Sequence, residues 1–223
     1  MGAASAGKGE DLAEFGDRRT REPTVRVNGV PVWKGLLPPA AQAEVLCEVM
    51  KIAAVAPFVR PITPSGRPMS VEMTSAGELG WVTDRSGYRY EPRHPTGVGW
   101  PPIPEPVLAI WRMVSEVSRL PTSCLVNRYG EGAKMGLHQD RDEGDLSWPV
   151  VSISLGDEAL FRVGGTTRRG RTESLWLHSG DIAVLSGETR LAYHGIDRVR
   201  SGSSGLVSGG GRINLTMRIV DRS

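Results

Sequence analysis

The segment Arg212-Ile-Asn-Leu-Thr-Met-Arg218 alternates polar and apolar residues without interruption. Successive side chains of a β-strand point to opposite faces, so Arg212, Asn214, Thr216 and Arg218 share one face and Ile213, Leu215, Met217 and Ile219 share the other. An apolar face needs a core behind it. A face with two arginines is costly to bury unless an anion meets the guanidinium groups. Two arginines on an inward face of a strand therefore need a reason to be there. His138-Gln139-Asp140, with His194 in Tyr-His-Gly-Ile, adds a second constraint. His-x-Asp followed by a distant His is the two-histidine, one-carboxylate set that holds Fe(II) on one face of an octahedron and leaves positions open. A triad of this kind upstream of an arginine strand points to an oxygenase that takes a dicarboxylate co-substrate.

Composition narrows the alternatives. A chain of 223 residues, 39% hydrophobic and 23% charged, can bury one good core. No apolar run approaches the ~20 residues needed to span a membrane. The N-terminal stretch lacks the apolar heart of a signal peptide, and Ala6 breaks the myristoylation pattern. Cys47 and Cys124 form neither a disulfide framework nor a Cys-rich zinc site, so a cytoplasmic protein is expected; a monomer is expected as well. A net charge of +2 does not by itself announce nucleic acid. Two arginine groups, Arg162/Arg168/Arg169/Arg171 and Arg85/Arg89/Arg93, are candidates for phosphate contacts, with ordinary solvated arginines as the competing reading.

The chain divides into three stretches. Residues 1–22 are polar and Gly/Ala-rich and read as a disordered arm. Residues 23–121 read as an extension with helices. One helix is expected from Pro39 to about Ala54, with Leu46, Val49, Met50 and Ala53 as its apolar stripe. A second follows the Pro-rich 101–106 linker, with Val107, Ile110, Trp111, Val114 and Val117 facing the core. Residues 122–223 read as the core, with short strands at 123–129, 150–155, 160–163, 174–177, 182–185, 190–194 and 212–219. That pattern suggests a sandwich or barrel. The Gly/Ser-rich stretch 200–211 reads as a flexible loop.

Other readings stay open on residues alone. The same three ligands suit catalytic Zn²⁺, although a zinc hydrolase needs no dicarboxylate clamp. His178 reads as a turn or surface residue, and His94 as a loop residue. Arg212 and Arg218 lie roughly 20 Å apart along a straight strand, so they converge on a short diacid only near full reach or if the strand bends. Their paired donors fit a carboxylate in a way that lysine does not. Asn127 and Tyr129 alternate in the same manner and offer neutral hydrogen bonds; strand-end and core roles compete. Trp81, after Leu-Gly, reads on its own as a core residue.

Four segments, CLVNRYGEGAKMGLHQDRDEGDL, VSISLGDEALFRVGG, HSGDIAVLSGETRLAYHGI and RINLTMR, together with the upstream TPSGRPMSVEMTSAGELGWVTDRSGYRY, carry a resemblance that runs from about residue 57 to 219. In order and spacing they resemble the AlkB family of Fe(II)/2-oxoglutarate dioxygenases. The resemblance implies a mainly β fold with N-terminal helices, a double-stranded β-helix (jelly roll) with a nucleotide-recognition lid. It implies Fe(II) at His138, Asp140 and His194, and 2-oxoglutarate at Asn127, Tyr129, Arg212, Asn214 and Arg218. It implies that a flipped base stacks between Trp81 and His138, with Asp142 near the exocyclic amine. Met73, Tyr88, Lys134 and Arg168 are implied as further lid or substrate contacts. The implied activity is O2-dependent oxidative demethylation of N1-methyladenine- and N3-methylcytosine-type bases in alkylated DNA, with formaldehyde released. RNA, a protein or a small molecule is the alternative substrate, and a non-enzymatic jelly-roll binding module is the alternative class. Arg67-Pro68 in the lid turn and the padding at 201–211 depart from the family pattern.

Overall fold

Near the start of the described chain, Asn28 and Gly29 both adopt positive φ, 43° and 85°. Two such residues in a row make the tight turn whose twist matches a β-hairpin. They join β1 (Val25–Val27) to β2 (Val30–Trp33). The computed structural model describes residues 22–221, so the arm expected at 1–22 lies, apart from Glu22, outside the described residues. In chain order there follow α1 (Pro39–Val55), β3 (Val71–Gly77), β4 (Gly80–Asp84), β5 (Gly87–Glu91), α2 (Glu105–Val114), β6 (Ser123–Tyr129) and β7 (Met135–His138). The rest are β8 (Val150–Gly156), β9 (Glu158–Val163), β10 (Glu173–Leu177), β11 (Ile182–Leu185), β12 (His194–Arg200) and β13 (Arg212–Arg218).

A seven-stranded antiparallel sheet runs β1-β2-β11-β8-β13-β6-β3, and a four-stranded sheet runs β10-β9-β12-β7. The hairpin β4-β5 forms a separate two-stranded ribbon. Period-two alternation divides the large sheet's side chains between two cores. Val126, Ile153, Val184, Ile213, Leu215 and Met217 pack against the helices. Leu125, Tyr129, Val150 and Leu185 meet Phe161, Val163 and Ile196 of the small sheet. Complete burial of each such aliphatic chain contributes about 1.5–3 kcal/mol. The layers are thus helices, large sheet, small sheet, as expected for a jelly roll with N-terminal helices.

Four local expectations need correction. The buried face of α1 is Ala41, Val45, Val49 and Ile52, while Met50 is 55% exposed. Of the expected stripe, Val49 is buried and Leu46 packs against the core, so the face is turned rather than replaced. Val117 packs on the core from beyond the end of α2. The strand expected at 190–194 instead starts at His194, after a 3₁₀ turn at Gly187–Thr189 capped reciprocally by Ser186 and Thr189. Finally, residues 201–211 are not a free loop. Buried Asp157 accepts hydrogen bonds from Gly202, Ser203, Ser204 and Gly211.

Candidate active site

The polar face of β13 looks into the space between the two sheets. Facing it at the edge of the small sheet, β7 and β12 run side by side, with His194 directly opposite His138 in the ladder. Asp140 follows two residues past the end of β7. The candidate ligand atoms of all three lie within 4.8 Å of one another. His138 Nε2 is 3.8 Å from Asp140 Oδ1, and His194 Nε2 is 3.8 Å from Asp140 Oδ2. Each histidine is oriented from behind, with Nδ1 2.9 Å from the Gly136 carbonyl in His138 and 3.0 Å from the Ala192 carbonyl in His194. An Nδ1–H donated to a carbonyl leaves the Nε2 lone pair for a metal. Burial lowers the His194 imidazole to about 4, so it is neutral near pH 7. Burial alone would raise the Asp140 carboxyl, but Arg218 and the two histidines outweigh it and hold it below the usual carboxylate range. Asp140 Oδ2 is buried without a hydrogen-bond partner. An ionised carboxylate with an unpartnered oxygen, set beside two imidazole Nε2 atoms, fits a divalent cation, and this donor set suits Fe(II).

The two arginines of β13 differ in their neighbours, although in each of them Nε and Nη1 are buried without a well-formed hydrogen bond. Arg218 Nη2 lies 2.8 Å from Asp140 Oδ1 and Nε lies 2.9 Å from Glu143 Oε1. Arg212 donates Nη2 to Ser154 Oγ at 3.0 Å and sits over the Tyr129 ring, yet its Nε and Nη1 are buried without partners. Unpaired buried guanidinium donors carry a large desolvation cost. An incoming carboxylate would remove it. Asn127 and Asn214 lie between them on the adjacent strands β6 and β13, directly paired in register. Asn214 is fixed by Ser152 Oγ and the Ile153 carbonyl, and Asn127 Oδ1 has no partner. All these side chains line one cavity of about 390 Å³, which also contains the triad.

At the cavity mouth, Trp81 stacks on Tyr88 with ring centroids 5.4 Å apart and planes inclined by 20°. Trp81 Nε1 donates to Asp142 Oδ2 at 3.0 Å. Trp81 is thus a half-buried mouth residue and not a core tryptophan. Met73 and Arg168 line the same cavity. Lys134 is outside it: the side chain is exposed, and the backbone is tied to Ser70 Oγ. The arginine groups are partly consumed internally. Arg89 pairs with Asp84 and Glu91, and Arg162 pairs with Asp197, whereas Arg168, Arg169, Arg171, Arg85 and Arg93 are exposed. His178 is a surface residue, but His94 is buried and held by Thr96 and the Pro57 carbonyl.

Sequence reasoning missed a buried network behind the triad. Glu143 bridges Arg218 and Arg190, and Tyr90 donates to it at 3.0 Å. Burial raises the Tyr90 phenol above its usual range, so the hydroxyl remains a donor. Arg190 also donates to the carbonyls of Asp140 and Trp148, at 2.6 and 2.7 Å. The only sequence signal was a third acid in His-Gln-Asp-Arg-Asp-Glu.

Comparison with known proteins agrees with this geometry. The 2OG-Fe(II) oxygenase superfamily matches residues 29–218. An α-ketoglutarate-dependent dioxygenase AlkB homolog of Caulobacter vibrioides (strain NA1000 / CB15N) is 51% identical over 208 residues, 93% of this chain and 94% of that protein. The chain belongs to the AlkB-type 2OG-Fe(II) oxygenases. The nucleic acid dioxygenase ALKBH1 of Mus musculus is 31% identical over 131 residues, 54% of this chain and 32% of that protein. Among solved structures, that of OsALKBH1 matches with a TM-score of 0.73 and 28% identity, covering 89% of this chain and all of the other. This AlkB-type chain is therefore an oxygenase using Fe(II), 2-oxoglutarate (α-ketoglutarate) and O2. Among the described residues, no helix is long and apolar enough to cross a membrane.

Proposed function

We propose that this oxygenase removes N-alkyl groups from damaged bases in DNA, acting on N1-methyladenine- and N3-methylcytosine-type lesions. A single observation carries the reading. One cavity joins the triad and Arg212 to the stacked Trp81 and Tyr88, with Asp142 at the indole edge. A flat face and a carboxylate above a metal site suit a flat, cationic group. A lesion that blocks pairing also costs less to extrude than a normal base. Bound iron, with 2-oxoglutarate and O2, supplies the oxidising power. One oxygen atom enters succinate as CO2 leaves; the other converts an N-methyl C–H to C–OH, and the hydroxymethyl group departs as formaldehyde.

The chain's part is to bind and orient. Arg212, remote from the triad and with Nε and Nη1 unpaired, takes the distal carboxylate, with Tyr129 and Asn127 beside it. Arg218, beside Asp140, steadies the metal ligand and the co-substrate end nearest the metal, and Asn214 lies between. Trp81 and His138 hold the base from its two faces, Asp142 meets its amine, and Met73 fills the apolar wall. Tyr88, Arg168 and the exposed Lys134 serve the flanking strand. The 23–121 extension and the 122–223 core act as one unit, since β3 pairs with β6 and β2 with β11. We place the protein in the cytoplasm as a monomer; both cysteines are free, and burial pushes the Cys124 thiol up to about 12.

The test is anaerobic loading with Fe(II) and 2-oxoglutarate, then O2, with methylated and unmethylated oligonucleotides compared. Formaldehyde from the methylated set alone is expected. Succinate formation with a protein or metabolite and no formaldehyde from any oligonucleotide would leave only the oxygenase class.

A further inference from the structure

The Gly/Ser-rich stretch that precedes the arginine strand is organised by one buried carboxylate. Asp157, 2% exposed, lies between β8 and β9. Its Oδ1 accepts from Ser204 N at 2.9 Å and Ser203 Oγ at 3.4 Å. Its Oδ2 accepts from Gly211 N at 2.9 Å and Gly202 N at 3.2 Å. The Asp157 N–H in turn donates to the Gly211 carbonyl at 2.9 Å. One residue therefore holds both polar groups of Gly211, and the next residue is Arg212. The approach is close: a Cβ on Gly156 (φ +82°) would lie 2.5 Å from the Gly211 oxygen and 2.8 Å from Val207 Cγ2. Gly209, Gly210 and Gly211 have φ of 80°, 80° and 98°. Three consecutive glycines lose more backbone freedom on ordering than any other run, so such a segment needs an anchor to hold one shape.

We propose that Asp157 is a positioning residue for the co-substrate: by pinning Gly211 it fixes how far the Arg212 guanidinium reaches into the cavity, and so the length of diacid the site accepts. The inference rests on the reading that Arg212 takes the distal carboxylate. A guanidinium fork rewards a carboxylate only in a narrow range of position. Anchoring the strand entrance is what keeps a Gly-rich neighbour from blurring that range.

Asp157→Asn tests this with little change of shape. Whichever way the amide turns, its NH₂ faces backbone N–H donors that the carboxylate accepted. Calorimetry on Mn(II)-loaded protein without O2 would follow binding of 2-oxoglutarate and of 2-oxoadipate, one methylene longer. We expect 2-oxoglutarate to bind about tenfold more weakly, the low end for loss of a supporting partner. The preference over 2-oxoadipate should narrow, Mn(II) affinity should hold, and amide exchange at Ser204 and Gly211 should quicken. Ser203→Ala, which removes one hydroxyl, should act in the same direction by about threefold, and it carries the test if Asp157→Asn does not fold. Unchanged 2-oxoglutarate affinity and length preference, or an equal loss of Mn(II) binding, overturns the inference. Arg212→Lys separates the two levels. No effect there removes the Arg212 reading and this inference together; weakening there, with none in Asp157→Asn, removes the inference alone.

Discussion

The floor and the mouth of the cavity are built by opposite means. The floor, Arg212, Asn214, Thr216 and Arg218, lies on a strand paired along both edges, with β6 on one side and β8 on the other. The mouth, Trp81 and Tyr88, lies on a hairpin whose ladder joins no other strand among the described residues. Two side-chain bonds, Trp81 to Asp142 and Tyr90 to Glu143, tie that hairpin to the triad region. A central strand holds its side chains within narrow limits, whereas a two-stranded ribbon is marginal alone and can part. The floor is suited to chemistry with strict geometry, and the mouth to admitting a base and closing on it.

The contrast can be broken at the floor first. His138→Ala or Asp140→Ala should abolish turnover with the circular dichroism spectrum unchanged, because each removes one of three metal ligands. Full turnover by metal-stripped protein, or with Zn²⁺ alone, would contradict the iron site. Next, Arg212→Lys and Arg218→Lys keep the charge but lose the fork. Each should raise the 2-oxoglutarate KM about ten- to a hundredfold, as loss of a charge-assisted contact worth ~1.5–3 kcal/mol implies. DNA affinity should change little; steady-state kinetics and a filter-binding titration separate the two.

At the mouth, Trp81→Ala should lower kcat/KM on methylated oligonucleotides by the value of one stacked base, about 1–3 kcal/mol. Mn(II) and 2-oxoglutarate binding should be unaffected. An equal loss of co-substrate binding would show that floor and mouth are not separable.

A pH experiment sharpens the floor. In metal-free protein, burial holds the His194 imidazole at about 4, below its ordinary value. The unfolded chain therefore takes up this proton first, so stability is complete above about pH 6.5 and falls as pH drops toward 4. The loss should reach on the order of 2 kcal/mol by pH 5 in urea titrations. His194→Asn should flatten that slope; an unchanged slope would assign it elsewhere. The smallest effect is expected from Asp142→Ala. It removes the partner of Trp81 and the acceptor proposed for a base amine, and should shift the preference between N1-methyladenine and N3-methylcytosine without stopping oxidation. Competition between the two oligonucleotides reads this directly.

Much of the floor was legible in the sequence because its signals are local. Alternation at 212–218 sorted the side chains into two faces; His138 and Asp140 were a weak metal signal by spacing alone, which the arginine strand and the motif order reinforced. The AlkB-like motif order supplied the jelly roll and the co-substrate. Asn28-Gly29 is an equally local signal, for the β1–β2 hairpin. Some signals were ambiguous, as in α1, where Met50 and Ala41 both sit at helical spacing but only Ala41 is buried. Leu191-Ala192-Tyr193 looked extended, but the Arg190 guanidinium is drawn inward to the carbonyls of Asp140 and Trp148, and the chain turns there.

The sequence by itself determined which residues are chemically equipped, down to the alternation that places Arg212 and Arg218 on one side of a strand. Only the tertiary structure decided how each is used. Arg218 is drawn to the carboxylates of Asp140 and Glu143, while Arg212 is held by the Ser154 hydroxyl over the Tyr129 ring. Arg162 is spent on Asp197, and Arg168 is left exposed at the mouth. Asp157 turns a Gly/Ser stretch that looked flexible into an anchored entrance to β13. The physical reason is the range of the forces. Side-chain alternation is set by neighbouring peptide units, whereas charge pairing and desolvation act between groups that the chain brings within about 3 Å from dozens of residues apart.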